Sequence, residues 1–318
     1  MRASTFAVFA IALLSACSKE SDTTASGAVR VGFSQIGAES GWRAANTASI
    51  KAEAKKRGID LVFLEAGGKQ ENQIRALRSF IQQRVDVIAF SPVVETGWQP
   101  VLEEIKQAGI PVVLTDRAVA VTDESLYQCF IGSDFVEEGR RAARWLADAT
   151  KGQGVVVELQ GTPGSAPAID RKKGFEEVLA QYPGLKIVKS QSGDFTRAKG
   201  KEVMEAFLRS PEGPSITALY AHNDDMALGA IQAIQEAGRK PGTDLLVVSI
   251  DGVKDAFLAM KEGTLNCTVE CNPLLGPQLF DVVEKLRKGE TVARRIQTEE
   301  GMFTREQVTD AVLAGRQY

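Results

Sequence analysis

The sequence predicts an α/β protein of two Rossmann-like lobes, each a doubly wound parallel sheet, joined by a multi-strand hinge. Three observations lead there. From Val29 onward short β-like runs alternate with helical patterns, the signature of βαβ units and a parallel sheet. Near Ser133 the alternation begins again, so the layout is doubled and not one long sheet. At 318 residues the chain is also long enough for two domains of ordinary size, each with its own core.

In the first series the run 29–33 precedes helical spacing over 42–57, which stops at Gly58. A strand at 59–64, a helix at 73–84, a strand at 85–90, a helix at 98–108 and a strand at 110–114 follow, and a run at 128–133 closes the series. The second series has helices at 135–150, 171–181, 197–209 and 225–238, with strands at 155–159, 186–189, 216–220 and 245–250. Segments 253–263, 265–270 and 274–288 complete the pattern, and the last can return to the first lobe. Crossings between lobes are expected near Ser133, Asn272 and Gly301. They divide the chain into an N-terminal lobe at 28–133 with a return segment at about 273–300, and a C-terminal lobe at 134–272 with a tail at about 301–318. Two lobes joined in this way can close on a ligand by a hinge motion.

The N-terminus is a separate object. Arg2, the apolar stretch Phe6 to Leu14 and the small residues Ser15 and Ala16 read as a secretory signal peptide over 1–16. The stretch is too short to span a bilayer, which takes about 20 apolar residues. Leu14-Ser15-Ala16-Cys17 resembles the lipobox of bacterial lipoproteins, where cleavage precedes a cysteine that is then acylated. Residues 17–27 have the small, polar composition of a flexible tether. An exported protein, held at a membrane surface through Cys17, is the expectation.

Composition narrows the partners. The chain is 44% hydrophobic and 25% charged, with net charge -3 and no basic stripe, so nucleic acid is not expected. Phosphate-loop, dinucleotide-turn, nucleophile-elbow and zincin motifs are all missing, and no cofactor is expected. No Cys/His set has metal-ligand spacing. Cys267 and Cys271, four apart in a strand-like segment, would have Cα atoms roughly 13 Å apart, too far for a bridge. Cys129 could pair with either of them, or all three could be buried free thiols.

In an open parallel sheet all strands point one way, so residues just past their ends gather along one edge, where such folds bind ligands. Trp42 and Arg43 follow the first run, preceded by Glu39, Ser40 and Gly41; Asp116 and Arg117 follow another. Asp170 and Arg171, then Asn223, then Asp251 hold the corresponding places in the second series. An indole face can pack on the C–H side of a sugar ring. Carboxylates accept from hydroxyls while guanidiniums only donate, so an Asp/Arg pair can saturate a vicinal diol from both sides. Asp170 could equally be a helix cap, Asp251 a turn residue, and Asp224 and Asp225 serve the positive end of the following helix. His222, the single histidine, reads as structural. Paired carboxylates could hydrolyse glycosides, but an Arg or turn neighbour would tend to keep each of Asp116, Asp170 and Asp251 ionised, which does not suit a general acid.

Several strings carry a resemblance. Val31 to Gln35, Glu39 to Arg43, Gln70 to Ile74, Ile169 to Phe175, Ser192 to Arg197, Ala221 to Met226 and Ser249 to Gly252 are similar to the type I periplasmic sugar-binding proteins of bacterial importers. Within that family the strings resemble the galactofuranose-binding branch; ribose-binding proteins and the core of LacI-type repressors share the fold. The resemblance implies a monomeric receptor that delivers a monosaccharide, galactofuranose or a related furanose or pentose, to an ABC permease. It implies contacts from Glu39, Ser40, Gly41, Trp42, Arg43, Asp116, Arg117, Arg171, Asn223 and Asp251. The alternatives are a sugar sensor serving a chemoreceptor or kinase and, more remotely, a carboxylate glycosidase.

Overall fold

The structure, a computed structural model, describes residues 28–318. The expected signal peptide, the acylated Cys17 and the tether lie outside the described residues. The first half runs β1 (Arg30–Gln35), α1 (Gly41–Lys56), β2 (Asp60–Glu65), α2 (Gln70–Gln82), β3 (Val87–Phe90), α3 (Gln99–Gln107), β4 (Val112–Thr115) and β5 (Cys129–Gly132). The second runs α4 (Phe135–Thr150), β6 (Gln153–Gln160), α5 (Ala166–Leu179), β7 (Gly184–Ser192), α6 (Arg197–Arg209), β8 (Ala218–Ala221), α7 (Asp224–Glu236), β9 (Leu246–Asp251), α8 (Lys254–Lys261) and β10 (Cys267–Glu270). After these come α9 (Gly276–Arg287), β11 (Arg295–Gln297), β12 (Met302–Thr304) and α10 (Asp310–Gly315).

Two six-stranded sheets result, in the orders β2-β1-β3-β4-β5-β11 and β7-β6-β8-β9-β10-β12. All pairings are parallel except β10 with β12, an antiparallel edge that departs from the wholly parallel expectation. Strands covered by helices on both faces carry continuous apolar runs: β3, β4 and β8 are buried along their whole length. The chain changes sheets three times, after β5, after β10 and between β11 and β12. Leu279 and Phe280 of α9 pack with Ile50 and Ala54 of α1, so the returning helix covers the first sheet.

Two elements differ from expectation. Helix α5 begins at Ala166, five residues before Arg171, because Pro167 sits in its first turn, where the missing N–H is harmless. Ser165 stands at its N-cap position, and Asp170 is neither cap nor cleft residue: it lies on a half-buried face beside Ser133, Phe135 and Arg295. Strand β7 spans nine residues instead of four, since alternate side chains of this edge strand meet solvent and leave no apolar run to read. Helices α4 and α5 approach closely through two glycines; a Cβ at Gly174 would sit 1.9 Å from the Val136 carbonyl oxygen, and one at Gly139 2.2 Å from that of Arg171. That approach holds Arg171 against α4. Cys129, Cys267 and Cys271 are buried, free thiols.

Candidate functional site

In both sheets the switch in strand order falls next to the first strand of the lobe, between β1 and β3 and between β6 and β8. Ligand sites in such folds lie outside the carboxyl ends at this point. The loops after β1, β4, β6, β7, β8 and β9 meet there around a small cavity. Glu39, Trp42, Arg43, Asp116 and Arg117 line it from the first lobe, and Arg171, Phe195, Asn223 and Asp251 from the second. Ser40, Pro167 and Cys271 complete the lining.

Local chemistry sets each side chain. The Ser40 hydroxyl accepts from the Arg43 N–H (3.1 Å), capping α1 so that Trp42 and Arg43 fall in its first turn. Trp42 spends its indole N–H on the Cys271 carbonyl (2.6 Å), which leaves the ring to form the wall. Arg43 donates to Glu39 Oε1 (3.0 Å) and Asp116 Oδ2 (2.6 Å), with its guanidinium 4.6 Å over the Trp42 ring. Asp116 stands at φ 63, a left-handed turn directly after β4. Arg117 is held by the Val93 carbonyl (3.0 Å). On the other side Arg171 donates to Glu138 Oε2 (2.7 Å) and to the His222 carbonyl (2.6 Å), and its remaining nitrogen is 3.6 Å from Asp251. Asn223 caps α7 through its amide oxygen and donates to the Phe195 carbonyl, so the same residue closes a helix and lines the cavity.

The other expected residues take different places. Gly41 is not part of the lining; its N–H goes to Asp225 Oδ2 (2.7 Å) across the cleft. Asp224, fully buried, accepts from Ser249 and Thr268 and from the Gly252 (2.7 Å) and Val253 (2.8 Å) amides, which fixes the turn after β9. His222 is buried against Glu158 (3.0 Å). Phe195 and Pro167 were not singled out from the sequence. Phe195 follows β7 in the pattern of the other strand-end residues, and it escaped because the end of that edge strand was misplaced. Gly161 makes room for its ring: a Cβ there would meet Phe195 Cζ at 1.9 Å.

Three guanidiniums and three carboxyl groups line the cavity, a mixture of donors and acceptors that suits a hydroxyl-rich guest. Burial pushes Glu39 up, but Arg43 and Arg117 beside it hold its carboxyl below the usual range. Burial and the neighbouring Arg43 draw Arg117 down to about 10. Asp251 corrects an expectation: burial outweighs Arg171 and pushes its carboxyl well above the usual range. Glu39 Oε2, Arg43 Nη1 and Arg117 Nε are buried without a hydrogen-bond partner. A ligand with hydroxyls in several directions would satisfy them. Glu138, Cys271 and Glu300 bring ligand-type atoms within 4.8 Å of one another at the hinge, yet Arg171 already supplies the cation to Glu138.

The lobes also touch at the rim. Besides Gly41 with Asp225, the Glu95 N–H donates to the Gly164 carbonyl (2.9 Å). Asp225→Ala removes a charge-assisted bond of about 1.5–3 kcal/mol from the closed form, so ligand Kd should rise by about tenfold or more. Titration calorimetry measures the affinity and solution scattering the opening; an unchanged Kd would show that this contact does not hold the cleft shut.

The periplasmic binding protein domain matches residues 31–291. The chain is 53% identical to the galactofuranose-binding protein YtfQ of Escherichia coli (strain K12) over 268 residues, 84% of each chain. It is 55% identical, with TM-score 0.88, to the binding-protein component of the arabinose ABC transporter of Shewanella sp. ANA-3, solved with α- and β-L-arabinofuranose; 91% of this chain and 95% of that one are covered. A Mycobacterium smegmatis structure in complex with β-D-fucofuranose is likewise 55% identical, with TM-score 0.88, over 92% of this chain and 96% of that one.

Proposed function

This chain belongs to the periplasmic binding protein family and is an extracytoplasmic sugar-binding receptor; from that premise we propose that its ligand is a neutral furanose, galactofuranose or a related pentose or hexose in the five-membered ring form. The observation that carries this reading is the cavity itself. It offers an aromatic face from each lobe, Trp42 and Phe195, for the C–H side of a ring. Its mixed guanidinium and carboxyl groups and orphaned donors and acceptors suit several hydroxyls at once. Furanoses bound by relatives at 53–55% identity support the ring form.

In this reading Glu39, Ser40, Trp42, Arg43, Asp116, Arg117, Arg171, Asn223 and Asp251 hold the sugar between the lobes, with Gly41 acting through the contact that closes them. The monomeric receptor releases the sugar unaltered to an ABC permease. Cys17 anchors it after removal of residues 1–16. Turnover is not part of the role.

Calorimetric titration with arabinose, galactose and 6-deoxygalactose, which equilibrate between ring forms, should give heat, while pyranose-locked methyl glycosides should give none. The retained sugar, identified by NMR, should be a furanose and chemically intact. No heat from any of these sugars would overturn the reading, and hydrolysis of a glycoside panel would replace it with an enzyme.

A further inference from the structure

Next to the cavity lies a second, larger compartment. Roomier than the inner cavity, it shares two walls, Glu39 and Arg117, with it. Otherwise the lining is new: Ile36, Ala38, Gly67 and Gly68 from the first lobe, Thr162 and Asp194 from the second. Both lobes therefore build it, as they build the inner site.

Resting on the furanose reading, we propose that this outer compartment is a subsite for the substituent on the furanose, so that the receptor takes up small neutral furanosides and furanose-capped disaccharides as well as the free sugar. The partition between the compartments is a pair of side chains and not backbone. Arg117 Nη2 and Glu39 Oε1 are 4.0 Å apart, too far for a hydrogen bond. Each carries a buried polar atom without a partner, Nε on Arg117 and Oε2 on Glu39. At that distance no atom fits between them, but no hydrogen bond has to break for the two side chains to part, and a glycosidic oxygen and its neighbouring hydroxyl entering there would satisfy both. A fully sealed wall would instead have paired these groups with each other.

The outer lining fits a neutral second unit. Ile36 and Ala38 offer apolar surface to a ring face, and Thr162 and Asp194 offer hydroxyl and carboxylate oxygens. Gly67 and Gly68 have φ +60 and +73, and a Cβ at either would meet nothing within 4 Å, so the floor is open backbone. Of the charged groups here two are carboxylates, Glu39 and Asp194, against Arg117 alone. That balance disfavours a phosphorylated or nucleotide substituent.

The test uses 4-nitrophenyl α-L-arabinofuranoside and 4-nitrophenyl β-D-galactofuranoside beside free arabinose and galactose, titrated into the wild type and an Ala38→Trp variant. Ala38 is exposed and outside the inner lining, so the indole fills the outer compartment alone. The expected result is that the wild type binds the glycosides within about tenfold of the free sugars, whereas Ala38→Trp weakens only the glycosides, by about tenfold or more. Free-sugar binding by the variant reports that it is folded. A wild type that binds free sugar and refuses both glycosides, or a variant that weakens both classes equally, would overturn the proposal. A wild type that ignores free sugars and glycosides alike would overturn the furanose reading beneath it.

Discussion

Arg171→Ala is expected to abolish sugar binding and to destabilise the C-terminal lobe by about 3–5 kcal/mol, the range for removing one partner of a buried ion pair. The guanidinium is 3% exposed and anchors three groups: Glu138, the His222 carbonyl and Asp251. Its loss leaves Glu138 without a partner for either oxygen, since Oε1 already has none. It also removes one of the three guanidiniums that line the cavity, so affinity should fall by more than about 100-fold. Arg171→Lys keeps the charge but not the fork, and should recover stability better than affinity. The double variant Arg171→Met, Glu138→Gln removes both partners and should restore most of the stability but none of the binding.

A pH dependence accompanies this variant. Burial pushes the Glu138 carboxyl from its usual 4.5 up to about 8, against the pull of Arg171. A carboxyl raised in the folded state binds its proton more tightly there than in the unfolded chain, so its contribution is full below about 4.5 and is lost as pH rises through the folded value. Without Arg171 only the Cys271 thiol offsets burial, and the stability of Arg171→Ala should decline over a wider range than that of the wild type between pH 6 and 9. Urea midpoints across that range and calorimetry at pH 7 measure both effects. Wild-type affinity in Arg171→Ala would remove this residue from the site.

Trp42→Ala should weaken binding by about 100-fold or more, because a buried indole carries about 3–5 kcal/mol of packing. Although it starts α1 in the first lobe, Trp42 packs in the hydrophobic cluster of the second and donates to Cys271 at the crossing. Its loss thus removes both the ring platform and a tie between lobes. Trp42→Phe keeps an aromatic face and lacks the N–H, so it should fall between the two. Separate melts of the variants, with and without sugar, distinguish lost packing from lost ligand contact. Binding by Trp42→Ala within about threefold of the wild type, well under 1 kcal/mol, would mean that the indole only fills space.

Much of the site was legible because strand ends converge in a parallel sheet. Asp116 and Arg117 after β4, Asn223 after β8 and Asp251 at the end of β9 follow short apolar runs bounded by polar residues, and all line the cavity. Where that signal weakened, the reading failed. Edge strand β7 alternates in exposure, its end was placed too early, and Phe195 was passed over. Pro167 sits in the first turn of α5, so that helix starts five residues before Arg171 and Asp170 makes neither a cap nor a contact with the inner cavity. Gly41 was read with its neighbours as ligand-facing, while its backbone N–H is directed to Asp225.

By itself the amino-acid sequence determined the order and type of the elements from β1 to α9, because strand and helix periodicity and helix-stopping glycines are local properties of a few consecutive residues; β11, β12 and α10, three to six residues long, carry too short a pattern to read. It also determined which chemical groups stand at strand ends. Only the tertiary structure decided who meets whom. Arg43 and Asp116 are 73 positions apart, Trp42 and Cys271 229 apart, and Gly41 and Asp225 184 apart. Such pairs are set by sheet order and by how the lobes face each other. They also decide the protonation of Asp251, where burial by distant segments outweighs the cation beside it.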